Sequence, residues 1–150
     1  MSKEAVKLIV KNKKARYEYE LLDHYEAGLV LTGTEVKSIR QGKVSLQESY
    51  ISIEKGEAFI RGMHIAPYEQ GNRFNPDPDR KRKLLLHKRE IYQLQTKLQQ
   101  DGLTIVPVEL YFKNGRVKLE IALGRGKKLY DKRESIKKRE QERALARAGY

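Results

Sequence analysis

The segment that decides the fold is residues 103–123, LTIVPVELYFKNGRVKLEIAL. Two runs of alternating apolar and polar residues flank Lys113-Asn114-Gly115, and an Asn-Gly pair between such runs is the strongest short-range signal for a β-hairpin. The segment therefore predicts two antiparallel strands, 103–112 and 116–123, joined by a tight turn.

Further strand patterns lie upstream of this hairpin. Residues 50–53 and 58–63 predict a second hairpin, in which Gly56 supplies the positive φ of the turn. Residues 6–10 predict a short strand, and a period of two between residues 17 and 31 predicts one or two half-buried antiparallel strands.

Two segments favour helices. Residues 34–40 are compatible with a short helix that ends at Gly42, and residues 84–100 carry apolar side chains at helical spacing before Gly102. Residues 12–16 read as a basic turn, and residues 67–79 read as a loop. We therefore predict a mainly β protein, an OB-like closed antiparallel β-barrel of five or six strands with flanking α-helices. The spacing alone leaves another small barrel open.

The charge of the chain indicates the class of partner. Its 150 residues contain 32 Lys and Arg against 20 Asp and Glu, a net charge of +12. Such an excess favours polyanionic partners, and nucleic acid fits better than a membrane because no run of about 18 apolar residues is present. The chain has no cysteine, which excludes disulfides and thiolate sites and is typical of a cytoplasmic protein.

The C-terminal segment carries half of that net charge. Residues 124–150 contain ten Lys and Arg and four acidic residues, with few large apolar side chains. Burial there cannot offset the entropy of ordering the backbone, so the pattern predicts a tail that is disordered when free and helical on a polyanion. We divide the chain into a barrel, residues 1–124, and a basic tail, residues 125–150.

No motif in the sequence supports catalysis. His24, His64 and His87 do not stand at metal-ligand spacing with one another or with a carboxylate motif. Residues 124–128, GRGKK, lack the glycine spacing and the Ser or Thr of a phosphate-binding loop. We therefore expect no enzymatic activity, no metal and no cofactor.

Seven strings occur in one order along the chain and carry a specific resemblance. They are NKKAR (12–16), YEAGLVLTGTEVKSIR (25–40), GK (42–43), ESY (48–50), GEAF (56–59), RKLLL (82–86) and GKKLYDKR (126–133). Together they closely resemble the SmpB, or SsrA-binding protein, family of bacterial trans-translation. The resemblance covers nearly the whole chain.

The resemblance implies a ribosome-rescue factor. Such a protein binds the tRNA-like domain of transfer-messenger RNA, with alanyl-tRNA synthetase and elongation factor Tu as indirect partners through the RNA, and acts as a monomer. Its core takes the place of an anticodon arm, and its tail enters the empty decoding centre, against 16S rRNA, and the mRNA channel of a stalled ribosome.

The resemblance also assigns residues. The positions that match the family's RNA-binding face are Asn12, Lys13, Arg16, Glu26, Leu85 and Lys118. The positions that match the ribosomal function of the tail are Gly126, Lys127, Lys128, Tyr130, Asp131, Lys132 and Arg133. Tyr130 stands where many relatives have histidine, and either ring can stack on a base.

Two other classes remain open on the residues alone. One is a general ribosome-associated protein with no dedicated RNA, and the other is an RNA-modifying or RNA-cleaving enzyme. A preference for transfer-messenger RNA over bulk tRNA would favour the function implied by the resemblance over a general ribosome-associated protein. Metal-dependent cleavage or modification of a labelled RNA would reveal an enzyme.

Overall fold

The protein is built around one large antiparallel sheet. A computed structural model describes residues 5–69, 75–100, 102–127 and 137–144. In chain order the elements are β1 (Val6–Lys11), α1 (Lys13–Glu18), β2 (Tyr19–Leu29), α2 (Gly33–Arg40), β3 (Val44–Ser45), β4 (Tyr50–Glu54), β5 (Glu57–Arg61), β6 (His64–Ile65), β7 (Arg82–Leu85), α3 (Lys88–Leu98), β8 (Leu103–Lys113) and β9 (Arg116–Gly126). In this part of the chain, seven strands form a sheet in the order β1-β8-β9-β2-β7-β5-β4, and β3 pairs with β6.

The predicted hairpin of residues 103–123 is confirmed and forms the centre of the molecule. β8 and β9 pair from Leu103 and Arg125 to Lys113 and Arg116, and the turn residues Asn114 and Gly115 both have positive φ. A turn of that kind matches the right-handed twist of the strands that it joins. The strand alternation buries Leu110 and Leu119 completely in the core.

The sheet does not close into the predicted barrel. β1 and β4 lie at its two ends, and no ladder joins them among the described strands. β4 comes close to β8, but the outer edge of β8 is already occupied. β1 pairs with its second half, and the backbone amide of Asn12 donates to the carbonyl of Val108 at 2.8 Å. Helix α1 follows directly and lines a cavity of about 180 Å³ together with residues of β4 and β8.

Residues 12–18 form a helix and its cap where a basic turn was predicted. The side chain of Asn12 accepts a hydrogen bond from the backbone of Ala15, as an N-cap asparagine does. Its amide group donates to the carbonyl of Pro107 at 2.9 Å. Asn12 therefore fixes both the start of α1 and its position against β8.

The predicted long helix begins later than its apolar pattern suggests. Leu84 and Leu85 belong to strand β7, and α3 starts only at Lys88. The start of α3 is capped by a hydrogen bond from the backbone amide of His87 to the carboxylate of Glu90. A short apolar run fits a buried strand as well as a helix. The alternation of buried Leu84 and exposed Leu85 decides for the strand.

A buried ion pair joins α2 to β7. The Arg82 side chain has no exposed surface, and its Nε donates to Glu35 Oε2 at 2.6 Å. The other guanidinium nitrogens of Arg82 donate to the carbonyls of Met63 and Pro78, and Arg80 donates to the remaining oxygen of Glu35. Every charge in the cluster therefore has a partner, as burial of an ion pair requires.

The basic run of residues 80–83, RKRK, is paired with carboxylates of the protein itself. Arg80 and Arg82 are held by Glu35, whereas Lys81 and Lys83 form surface pairs with Glu54 and Glu57.

The described part of the tail consists of the end of β9 and a short helix. β9 continues to Gly126, two residues beyond the predicted barrel, and residues 137–144 are helical and exposed. Lys128, Tyr130, Asp131, Lys132 and Arg133 lie outside the described residues.

Glu35→Gln should strongly destabilise the protein. We expect a loss of about 3–5 kcal/mol in the free energy of unfolding, because the change leaves the buried charge of Arg82 without its counter-ion. Urea denaturation measures it. The matched control is Glu48→Gln, since Glu48 is 81% exposed and its pair with Lys14 lies on the surface. That control should cost less than about 1 kcal/mol, and equal losses would contradict the assignment.

The same pair predicts a dependence on pH. Burial raises the pKa of Glu35, but hydrogen bonds from Arg80, Thr32 and Arg82 outweigh it and hold the pKa below its ordinary value. A carboxyl with a lowered pKa stabilises the fold above its unfolded pKa, about 4.3 for glutamate, and this stability is lost as the pH falls through the folded pKa. The difference in stability between the wild type and Glu35→Gln should therefore shrink in acid.

Candidate nucleic-acid interface

The outer face of the sheet carries a row of side chains that crosses four strands. The pairing places Tyr111 of β8 opposite Lys118 of β9, Lys118 opposite Gly28 of β2, and Gly28 opposite Leu85 of β7. Neighbouring strands lie about 4.8 Å apart, so the row is roughly 15 Å long. We call these four residues, together with Glu26, the outer-face row.

Glu26 is held in place and kept ionised by its neighbours. The hydroxyl of Tyr111 and the ammonium of Lys113 both donate to its carboxylate, the latter at 3.3 Å. The hydrogen bond from Tyr111, with the charges of Lys113 and Lys118, holds the pKa of Glu26 below its ordinary value. Burial and the facing carboxylate raise the pKa of Tyr111. The pair therefore presents a fixed hydrogen-bond acceptor beside Lys113 and Lys118.

Gly28 allows the backbone and the side chains around it to approach closely. A Cβ at this position would lie 3.3 Å from Leu85 Cβ and 3.7 Å from Lys118 Nζ. Leu85 is 53% exposed although its neighbour Leu84 is buried. The row thus places the exposed side chain of Leu85 and the side chain of Lys118 on either side of Gly28, which has no side chain of its own.

The predicted residues of α1 lie at the edge of this face. Lys13 is exposed, and Arg16 Nη2 donates to Glu109 Oε1 at 2.8 Å. Glu109 is opposite Glu120, which is opposite Glu26, so Arg16 and Glu26 share one face of the sheet.

Asn12 has a different environment from the other predicted residues. It is 4% exposed and its side chain is engaged by Ala15 and Pro107. Its contribution to this face is to hold α1, which carries Lys13 and Arg16.

Gly126 and Lys127 connect the sheet to the tail. Gly126 pairs with Tyr19 at the end of β9. The backbone amide of Lys127 donates to the carbonyl of Glu18 at 2.9 Å, and its ammonium donates to the carbonyl of Arg16 at 3.2 Å. A lysine suits this place because the last carbonyls of a helix carry partial negative charge.

Tyr111, Lys113 and Gly28 are members of the site that the sequence did not predict. Their relation to Glu26 and Lys118 depends on the register between β8, β9 and β2. The alternation within residues 103–123 shows which side chains share a face, but it does not show which residue of β2 lies opposite.

The described residues contain no group of three or more His, Asp and Glu placed to hold a metal ion. No helix in the same part of the chain is long and apolar enough to span a membrane.

These features define a class. A small antiparallel sheet with a half-buried lysine and tyrosine and an exposed leucine on one face suits a structured RNA, which proteins bind through shape, phosphates and unstacked bases. The model of the SmpB protein family matches residues 9–149. The chain belongs to this family.

Individual relatives agree with the family match. The SsrA-binding protein of Desulforudis audaxviator is 56% identical over 99% of this chain and 97% of its own length. That of Oleidesulfovibrio alaskensis is 61% identical over 93% of this chain and 90% of its own. A solved chain described as "tmRNA-SmpB: a journey to the center of the bacterial ribosome" is 50% identical, with a TM-score of 0.67, over 80% of this chain and 85% of that one.

Tyr111→Phe should raise the pKa of Glu26, because the change removes the strongest hydrogen bond to its carboxylate. Carboxyl carbon chemical shifts followed through an NMR titration measure this pKa. Tyr92→Phe is the control, since Tyr92 lies on α3 and is 71% exposed. An unchanged pKa of Glu26 in Tyr111→Phe would show that the hydroxyl does not hold the carboxylate.

Proposed function

We propose that this protein binds the tRNA-like domain of transfer-messenger RNA through its outer-face row and delivers that RNA to stalled ribosomes for trans-translation and peptide tagging. The observation that carries the proposal is the row itself, in which a fixed carboxylate, a lysine and an exposed leucine lie together on one face. Membership of the SmpB family and relatives named for SsrA binding support it.

Each member of the row has a chemical task. Lys118, with Lys13 and Arg16 at the edge of the face, contacts phosphates. The carboxylate of Glu26 repels phosphate, so it accepts hydrogen bonds from the amino groups of bases. Leu85 covers a base that has left its stack, and the missing side chain at Gly28 leaves room for it.

The tail has a separate task on the ribosome. The part of the tail beyond Lys127, including Lys128, Tyr130 and residues 131–133, enters the decoding centre against 16S rRNA and the mRNA channel, while the sheet takes the place of an anticodon arm. Lys127 is anchored to α1 and sets the point from which the tail leaves. The protein acts as a cytoplasmic monomer without a cofactor, and it meets elongation factor Tu and alanyl-tRNA synthetase through the RNA.

Leu85→Ala and Lys118→Ala should each weaken binding to transfer-messenger RNA. Covering a half-exposed leucine is worth roughly 1 kcal/mol, so we expect a loss of about fivefold for Leu85→Ala. Lys118→Ala should reduce the slope of log affinity against log salt by about 1. Filter binding over a series of salt concentrations measures both.

The control for these two variants is Lys55→Asn. Lys55 lies in the turn between β4 and β5 at φ 50°, a conformation that asparagine tolerates. It removes one positive charge away from the row and should leave affinity unchanged. Bulk tRNA serves as competitor, and equal affinity of the wild type for the two RNAs at physiological salt would overturn the proposal.

Removing residues 128–150 should separate the two tasks. Deletion after Lys127 keeps the contacts with α1, so we expect the preference for transfer-messenger RNA to persist while peptide tagging on stalled ribosomes is abolished. Replacing Asp131, Lys132 and Arg133 by alanine should likewise spare the complex with RNA and impair tagging. Parallel loss of preference and tagging in the deletion, or normal tagging by the triple variant, would contradict this division.

A further inference from the structure

A second concentration of positive charge lies outside the outer-face row. A cleft of about 620 Å³ separates α1 from the helical segment of residues 137–144, which we call the tail helix. One wall of this cleft is formed by Lys11, Lys13, Arg16 and Lys127.

The opposite wall belongs to one side of the tail helix. It consists of Lys138, Arg139, Glu142 and Arg143. Residues 138 and 142, and residues 139 and 143, are four apart and so share a helix face. The cleft thus has seven cationic side chains and one carboxylate.

Most of the charged side chains on the two walls are positive. The guanidinium of Arg139 lies 5.8 Å from the centre of the Tyr17 ring, a weak attraction at an exposed site. These like charges repel each other, and salt at physiological concentration screens such repulsion over about 8 Å. A polyanion between the walls would turn this repulsion into attraction from both sides.

We propose that the cleft between α1 and the tail helix binds the sugar-phosphate backbone of a single RNA strand, independently of sequence. The inference rests on the proposed function only in taking RNA as the ligand. An extended backbone suits the site because its cations line two facing walls instead of converging on one point. The tail helix and α1 then both contact the same RNA strand, and the bound RNA links the tail to the sheet.

The two sides of the tail helix provide matched variants. Lys138 and Glu142 line the cleft, whereas Lys137 and Glu140 lie on the same helix and do not. All four side chains are exposed, so each pair of substitutions changes the net charge equally and is not expected to affect folding. The probe is a single-stranded oligouridylate, and the measurement is its affinity for the full-length protein over a salt series.

Lys138→Ala should weaken binding and reduce the salt slope by about 0.7, the value for one phosphate contact on a single strand. Glu142→Gln should strengthen binding because it removes the one carboxylate of the cleft. Lys137→Ala and Glu140→Gln should change neither quantity. Equal effects of Lys137→Ala and Lys138→Ala would overturn the proposal, because the tail would then act as a diffuse charge.

Two further measurements test which ligand the cleft binds and whether α1 and the tail helix come together on it. Inorganic tripolyphosphate should compete poorly with oligouridylate at equal charge, and equal competition would show a small-anion site instead of a strand site. Since the chain has no cysteine, spin labels at Lys14→Cys and Gln141→Cys report one distance. The distribution of that distance should narrow to a single short value when oligouridylate binds. An unchanged distribution would contradict the proposal that α1 and the tail helix bind the same strand.

The experiments distinguish a failure of the cleft proposal from a failure of the proposed function. If Lys137→Ala and Lys138→Ala behave alike while Leu85→Ala still weakens binding to transfer-messenger RNA, the cleft alone is refuted.

Discussion

The ion pair between Glu35 and Arg82 is the constraint on which the rest of the structure depends. It lies where α2, β7 and the backbone carbonyls of Met63 and Pro78 meet, and it is closed to solvent. Removing Glu35 would leave the charge of Arg82 buried without a counter-ion, which costs more than the loss of one contact. β7 is held in its register by this pair, and Leu85, three residues after Arg82, is thereby placed on the opposite side of the strand.

Local chemistry made the two hairpins predictable. Asn114-Gly115 and Gly56 force the backbone to turn, and the alternation on either side shows which side chains are buried. β7 was missed because three leucines in a row fit a strand and a helix equally well. The open sheet was missed for another reason, since closure depends on whether α1 or β4 takes the edge of β8. That competition involves residues far apart in the sequence.

The candidate site follows the same division. Glu26, Leu85 and Lys118 were predicted from the resemblance to a family, and the structure brings them to one face. Tyr111 and Gly28 could not be predicted from a local pattern, because their importance comes from the residues that lie opposite them. Asn12 was predicted on the RNA face, yet its hydrogen bonds are directed into the protein. Arg82 belongs to a run of basic residues in the sequence, yet its side chain has no exposed surface.

The open sheet has a consequence for the free protein in solution. A sheet that does not close leaves edge strands able to pair with another copy of the chain, and β1 also exposes Val6 and Leu8. Lys7 and Lys11 stand on the same strand, and charged side chains at an edge oppose such pairing. The net charge of +12 adds long-range repulsion between copies. Positive charge of the kind proposed here to attract RNA therefore also opposes aggregation of the free protein.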